Sequence, residues 1–234
     1  MSYLLYQYED TLMIILSVVA ALWATITSVR VNSTFKKYST MFNSRGMTGQ
    51  TCAEALLRRA GITDVRVERV SGNLTDHFDP KAKVIRLSDS VYSSNSVAAI
   101  GVAAHEAGHA IQHNVGYFPI KLRQMIVPVC NIGSNLAMPL ILLGIFIGMT
   151  GLAELGLILF SLSAFFQLVT LPVEFNASHR AIDYLDNGAG LNMDEMRAAK
   201  KVLRAAAMTY VAALAVAIIN LLRIIAVVNN SRRR

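Results

Sequence analysis

Four long stretches without a charged residue constrain this chain more than any other feature. They cover residues 11–29, 124–153, 155–173 and 205–222. A helix of about 20 residues crosses the hydrocarbon core of a bilayer, which is roughly 30 Å thick, so each stretch is long enough to span. Hydrophobic residues make up 54% of the 234-residue chain and charged residues only 16%, which is too apolar for a purely water-soluble protein. We therefore predict an α-helical integral membrane protein with about four transmembrane helices.

The positive charges indicate how such a protein is oriented. Of the 22 Lys and Arg residues, 18 lie within residues 30–124 or 174–204, the two stretches that four spanning helices leave on one side. By the positive-inside rule that side is the cytoplasm, and the N-terminus and the "TGLAE" turn at residues 150–154 lie outside. The net charge of +7 is then a topological signal, and we expect no nucleic-acid partner. A spanning fourth helix would place "NNSRRR" outside, against the rule, so a last helix that is interrupted at Arg223 stays an alternative.

The apolar stretches and the positive charges together divide the chain into five segments. We expect an N-terminal transmembrane anchor (1–30), a cytoplasmic domain (31–123), a transmembrane hairpin (124–173), a cytoplasmic helical segment (174–204), and a last transmembrane helix with a basic tail (205–234). The anchor is expected to be retained, because acidic residues precede it where a signal peptide has basic ones. Cys52 and Cys130 fall in different regions, so no disulfide is expected between them.

The cytoplasmic domain has soluble patterning and is predicted to be a small α+β domain. Residues 47–62 are typical of a helix that is capped by Thr48 or Thr51 and ended by Gly61. The alternation of apolar and charged residues predicts a strand at 65–70, and "KVIRLS" at 83–88 is expected to be a second short strand, with a turn-rich loop at 71–80 between them. A further helix is expected over residues 93–113.

This last helix contains the sequence "AAHEAGHAIQH", which carries the chemistry. His105 and His109 are four residues apart, so their rings lie one above the other on a helix. Two neutral imidazoles at that spacing suit a divalent metal, and Glu106 can reach a water bound to it; this is the HExxH pattern of two zinc ligands and a general base. The alternative is a pair of interfacial histidines that are satisfied by hydrogen bonds. The apolar run at 97–104 is too short to span, which places the helix in the soluble domain or at the interface.

A catalytic zinc needs a third protein ligand, and we favour Glu174. Small residues share the helical face of Glu174 and the face of His105, so the two helices can approach closely; these residues are Ala177, Ser178, Ala181, Gly101 and Gly108. The other candidates are His77, His113, His179, Asp183 and Asp186. Glu174 as a carboxylate that only marks the membrane boundary stays an alternative.

Four segments together resemble a known family. The segments "SVAAIGVAAHEAGHAIQH", "GNLTDHFDP", "VIRLS" and "PVEFNASHRA" are similar to the neutral zinc metallopeptidases of the YugP type, bacterial membrane proteases grouped with the gluzincins. The resemblance covers nearly the whole chain. It implies a zincin-like domain, one Zn²⁺ per chain held by His105, His109 and Glu174, and Glu106 as catalytic base. The wider Ste24 and HtpX arrangement has an aspartate four residues after the glutamate ligand, where this chain has Ser178, and we would expect an acid at Asn176.

The expected function is that of a membrane-anchored zinc endopeptidase in the bacterial cytoplasmic membrane. Its partners would be the bilayer and peptide or protein substrates, and Glu106 would activate a zinc-bound water at the cytoplasmic face. By resemblance, a substrate would lie extended along an edge strand, for which "KVIRLS" is the candidate, and His179 or Arg180 could serve as a donor to the oxyanion. The alternatives are a site-2-type intramembrane protease that uses Asp186 of "YLDNG", and a zinc-stabilised scaffold without activity.

Overall fold

A computed structural model describes residues 2–231 and the side chains of residues 11–229. Over these residues the chain forms seven helices and three strands. In chain order they are α1 (Ser2–Tyr38), α2 (Gly49–Arg59), β1 (Arg66–Val70), β2 (His77–Asp79), β3 (Val84–Ser88), α3 (Asp89–Tyr92), α4 (Val97–Asn114), α5 (Phe118–Phe146), α6 (Thr150–Asn187) and α7 (Met193–Ser231).

Four of the helices are long and apolar enough to cross a membrane, as predicted. They are Thr11–Tyr38, Phe118–Phe146, Thr150–Asn187 and Met193–Asn229. Large apolar side chains on them point outward, among them Ile15, Leu142 and Ile158. An outward apolar surface is stable in lipid but not in water. The chain is therefore a membrane protein, and α4, which carries the HExxH sequence, is not one of its candidate spans.

The long helices continue beyond the predicted ends of the apolar segments. Helix α6 contains Pro172 and does not end near residue 173, and α7 passes Arg223 without a break. No glycine interrupts α6 after Pro172 until Gly188, so nothing in the local sequence ends the helix earlier. The predicted "TGLAE" turn is instead the first turn of α6; the chain reverses at residues 147–149, where Gly148 has a φ of +73° that glycine adopts at little cost. The arginines at 232–234 lie outside the described residues.

The chain divides into two compact units. The membrane unit takes in the chain up to Thr27, then Leu122–Leu171, and the chain from Thr209 onward. The second unit, which we call the sheet unit, combines Ser28–Lys121 with Pro172–Met208. Its core contains residues from both segments, including the fully buried Ile85, Ile100, Leu185 and Ala199. The polar stretch after Pro172 thus completes the core of the preceding domain. Cys52 and Cys130 are both free, as expected.

The sheet unit contains a three-stranded sheet in the order β1-β3-β2. Strand β3 pairs in parallel with β1 and antiparallel with β2, with His77 opposite Arg86 and Asp79 opposite Val84. The predicted strands at 65–70 and 83–88 are confirmed, but the loop prediction for 71–80 is wrong because it contains β2. Three residues flanked by turn formers are too few to produce a recognisable alternation. "KVIRLS" is consequently a central strand, so its assignment as an edge strand for substrate is also wrong.

Caps define the helices that pack on this sheet. Thr48 and Thr51 form a reciprocal capping box at the start of α2, so both predicted cap residues take part. Ser96 caps α4 by accepting a hydrogen bond from the Ala99 amide at 3.2 Å. Most of the side chains of α4 are buried, which fixes the helix that carries His105 and His109.

Candidate metal centre

Two helices of the sheet unit bring the candidate residues together. Helix α4 supplies His105 and His109, whose ring centroids are 4.7 Å apart and nearly perpendicular. Helix α6 supplies Glu174, which is only 2% exposed. The two helices belong to distant parts of the chain, so the cluster depends on how they pack.

The packing is close because Gly108 on α4 has no side chain. A Cβ atom added at Gly108 would lie 2.7 Å from the carbonyl oxygen of Ala177 on α6, and Ala177 itself is fully buried. The expected small-residue contact is thus confirmed at Gly108. The prediction of a close contact is wrong at Gly101, where an added Cβ would meet nothing within 4 Å. The glycine that permits the approach is the one next to His109.

One carboxylate oxygen lies between the two rings. Glu174 Oε2 is 3.2 Å from His105 Nε2 and 3.5 Å from His109 Nε2. The three donor atoms that these residues offer lie within 4.8 Å of one another. Both rings therefore direct the same nitrogen, Nε2, at the same point.

These distances fit a zinc site. Ligand atoms at 2.0–2.1 Å from a tetrahedral zinc lie about 3.3 Å from each other, which is close to both nitrogen–oxygen separations observed here. Two imidazole nitrogens and one carboxylate oxygen are also the donor types of catalytic zinc sites, which keep a fourth position for water or substrate. The donor set fits a Zn²⁺ ion.

The other nitrogen of each ring is held by a neutral side chain. His105 Nδ1 lies 3.1 Å from the hydroxyl of Ser178, and His109 Nδ1 lies 3.0 Å from Oε1 of Gln112. Partners at Nδ1 orient a histidine and leave Nε2 for a metal. Ser178, at the position of the expected aspartate, thus contacts the ring of His105. Gln112 was not singled out from the sequence, where its signal is the spacing of three residues after His109.

The charge balance favours a cation between these groups. Burial of the His109 ring lowers its pKa, but the hydrogen bond to Glu174 and the charges of Glu106 and Glu174 outweigh burial, so the pKa lies above its ordinary value. The surroundings of His109 thus stabilise a positive charge. A divalent metal meets the same field and displaces the proton when it binds.

Glu106 lies on α4 between the two histidines in sequence and is 8% exposed. Its carboxylate interacts electrostatically with His109 and with a second acid, Asp76. Burial raises the pKa of Asp76, and the negative charge of Glu106 raises it further. Asp76 accepts hydrogen bonds from the backbone and hydroxyl of Ser88 at 2.7 and 3.1 Å. Sequence reasoning missed Asp76, because turn chemistry already explained an acid in "TDHFDP".

The other candidate ligands lie elsewhere. The ring of His77 lies beside Arg86, with 3.4 Å between Nε2 and Nη1, and the ring of His113 packs edge-on against Phe78. His179 and Asp183 are exposed, and Asp186 lies 3.3 Å from Lys200 Nζ. Within the described part of the chain, the donor cluster contains none of these five residues.

Arg180, the second candidate for an oxyanion donor, contacts a neighbour on its own helix. Its Nε atom donates a hydrogen bond to Oδ1 of Asn176 at 2.9 Å. Asn176, where an acid was expected, in turn accepts a hydrogen bond from Gln112 at 3.0 Å.

Comparisons with known proteins assign the chain to a family of zinc peptidases. Residues 12–229 match the sequence profile of a family described as "Putative neutral zinc metallopeptidase". The chain is 47% identical over 203 residues to the "Putative membrane protease YugP" of Bacillus subtilis (strain 168), a match that covers 87% of this chain and 90% of that protein. No solved structure matches the chain with statistical significance.

Proposed function

Because this chain belongs to the family described as "Putative neutral zinc metallopeptidase", we propose that it is a membrane-anchored zinc endopeptidase of the gluzincin type. It would hydrolyse peptide bonds of membrane or unfolded proteins. The observation that carries the proposal is the convergence of His105 Nε2 and His109 Nε2 on one oxygen of Glu174, with Glu106 on the same helix as the histidines. A structural zinc site has no use for an acid at that position.

His105, His109 and Glu174 would hold the ion. When bound, zinc polarises a carbonyl group and makes water a stronger nucleophile near neutral pH. The three residues contribute one negative charge in total, so the ion keeps most of its positive charge for that purpose. Ser178 and Gln112, both neutral, orient the rings without reducing it.

Glu106 would move the proton. Its carboxylate takes the proton from the attacking water and delivers it to the nitrogen of the departing amine. The low exposure of Glu106 limits competing contacts with bulk water, and Asp76 adds a second negative charge in its surroundings.

The outer edge of β2 is the proposed binding edge for the substrate backbone. β2 forms one edge of the sheet, and it pairs with β3 through His77–Asp79, so its other side is not paired within the sheet. Phe78 of β2 faces α4, where its ring contacts His113, one turn after His109. A peptide that adds to this edge as a strand gains backbone hydrogen bonds that do not depend on its sequence. Such binding suits unfolded substrates.

We place the sheet unit in the cytoplasm of a bacterial cell. Most of the Lys and Arg residues lie in the segments that this unit comprises, and the positive-inside rule assigns such segments to the cytoplasm. The active site would then face the cytoplasmic side of the inner membrane.

The test is proteolysis by purified protein in detergent, with zinc counted in every sample. We expect the wild type to cleave casein, and Glu106→Gln to bind zinc equally but to lose cleavage by at least about 100-fold, since a positioned general base contributes that much. Glu68→Gln, on strand β1, where the Glu68 side chain is 41% exposed, is the matched control and should cleave as the wild type does.

Equal cleavage by wild type and Glu106→Gln would contradict the proposal and point to a contaminating protease. Zinc binding without cleavage of casein or of the unfolded chain of another membrane protein would favour a zinc-stabilised scaffold instead.

A further inference from the structure

We propose that Gln112 is a positioning residue that fixes the proton of His109 on Nδ1 before any metal binds. The inference rests on the proposed function, because it concerns how one ligand of the proposed zinc is prepared.

Gln112 is fully buried and uses its whole amide group. Its Nε2 donates to the carbonyl oxygen of Val173 at 2.8 Å and to Oδ1 of Asn176 at 3.0 Å. Its Oε1 lies 3.0 Å from His109 Nδ1. Gln112 therefore contacts the ring of one metal ligand and the backbone immediately before another, Glu174.

The orientation of this amide follows from its neighbours. A backbone carbonyl such as that of Val173 can only accept, so the side of Gln112 that faces it must be the NH₂ group. Oε1 then faces His109, and because Oε1 can only accept, Nδ1 of His109 must carry the proton. When the ring is neutral, Nε2 then carries the lone pair that can bind the proposed ion.

Arg180 fixes the other end of the chain of hydrogen bonds. A guanidinium can only donate, so the atom of Asn176 that faces Arg180 Nε must be the oxygen, Oδ1. That oxygen accepts from Gln112 as well, which again requires the NH₂ group of Gln112 at this position. Two independent contacts thus enforce the same orientation of Gln112.

His105 has no such constraint. Its Nδ1 faces the hydroxyl of Ser178, which can either donate or accept. The protein therefore selects the tautomer of His109 in advance, whereas the tautomer of His105 is decided when the metal binds. Removal of Gln112 should therefore weaken zinc binding, although Gln112 is not itself a proposed ligand.

The test measures zinc affinity directly, by competition with a chromophoric chelator. Gln112→Leu removes the acceptor at similar size, and we expect its Kd for zinc to rise by roughly 10–100-fold, as is typical when the partner of a ligating histidine is lost. Gln112→Glu keeps an acceptor at Nδ1, and its carboxyl group, when protonated, can donate one of the two hydrogen bonds to Val173 and Asn176, so we expect a smaller loss of zinc affinity than in Gln112→Leu. Ile111→Ala, a buried apolar neighbour on α4, is the control for lost packing and should bind zinc as the wild type does.

Wild-type affinity in Gln112→Leu would overturn the inference alone, and so would an equal loss in Gln112→Leu and Gln112→Glu. A wild type without zinc affinity would instead overturn the proposed function. If Gln112→Leu does not fold, ¹⁵N NMR of histidine-labelled, metal-free wild type above pH 9 decides the matter. A His109 ring protonated on Nδ1 supports the inference, and a ring protonated on Nε2 overturns it.

Discussion

At the scale of single residues, the feature that distinguishes this centre is the neutrality of the groups behind the histidines. A carboxylate at Nδ1 raises the basicity of a ligating imidazole and shares its charge with the metal. Ser178 and Gln112 provide contacts at that position without a charge. Glu174 is then the acidic ligand that we propose for the ion, and Glu106, which interacts electrostatically with His109, is the proposed base. This division of roles suits an ion that must act as a strong Lewis acid.

At the scale of helices, the centre depends on the contact between α4 and α6. Gly108 meets the backbone of Ala177 in that contact, and a backbone atom cannot move aside as the end of a flexible side chain can. His109 follows Gly108 directly, and Glu174 precedes Ala177 by three residues. A small change in the separation of the helices therefore changes the distances between the ligands.

The two glycines of α4 provide a matched pair of substitutions. Gly108→Ala should destabilise the protein by about 1–3 kcal/mol through overpacking and should reduce its zinc content. Gly101→Ala meets open space on the same helix and should stabilise the protein by up to about 1 kcal/mol, since alanine has the higher helix propensity. Denaturant unfolding in detergent and metal analysis check both. Equal stability and equal zinc in the two variants would show that the contact does not control the centre.

The sequence correctly predicted the helices, helix caps and strands whose pattern lies within their own residues. The apolar stretches, the capping residues Thr48 and Thr51, and the strands at 65–70 and 83–88 each carry their own pattern, and each is confirmed. Strand β2 was missed because its existence depends on pairing with β3 and not on its own three residues. The central position of β3 was missed for the same reason, because β3 is central only when β2 pairs with it.

The candidate site divides in the same way. Helical spacing alone placed His105 and His109 together, and small residues indicated the side of α6 that carries Glu174. Gln112 and Asp76 could not be assigned from the sequence, because their partners, Val173 and Ser88, are distant in the chain. The role of each residue in catalysis, and a zincin-like fold of the domain, stay predictions.

At the scale of the whole molecule, α6 and α7 each contribute to both compact units without a linker between the two parts. Glu174 and the core residue Leu185 come from the polar part of α6, so the segment 31–123 lacks both a proposed ligand and part of its own core. The expected boundaries at 174 and 204 therefore separate stretches of different polarity within continuous helices. Experiments on function need the full chain.

The orientation of the molecule can be tested by cysteine labelling in cells. Two single-cysteine variants are made in a background with Cys52 and Cys130 replaced by alanine. Met149→Cys lies in the turn between α5 and α6, where Met149 is 56% exposed, and Asp194→Cys lies at the exposed start of α7. The positive-inside rule predicts that an impermeant maleimide labels Met149→Cys in intact cells and Asp194→Cys only after permeabilisation. The reverse pattern would contradict a cytoplasmic active site.

If His105, His109 and Glu174 together hold one zinc ion, the number of zinc ions per purified chain reports it directly. We expect about one in the wild type, a loss of most of it in Glu174→Ala because a zinc site loses a ligand, and full retention in Asp186→Ala, whose carboxylate lies beside Lys200. Retention of zinc in Glu174→Ala, or its loss in Asp186→Ala, would show that the zinc site is not formed by His105, His109 and Glu174.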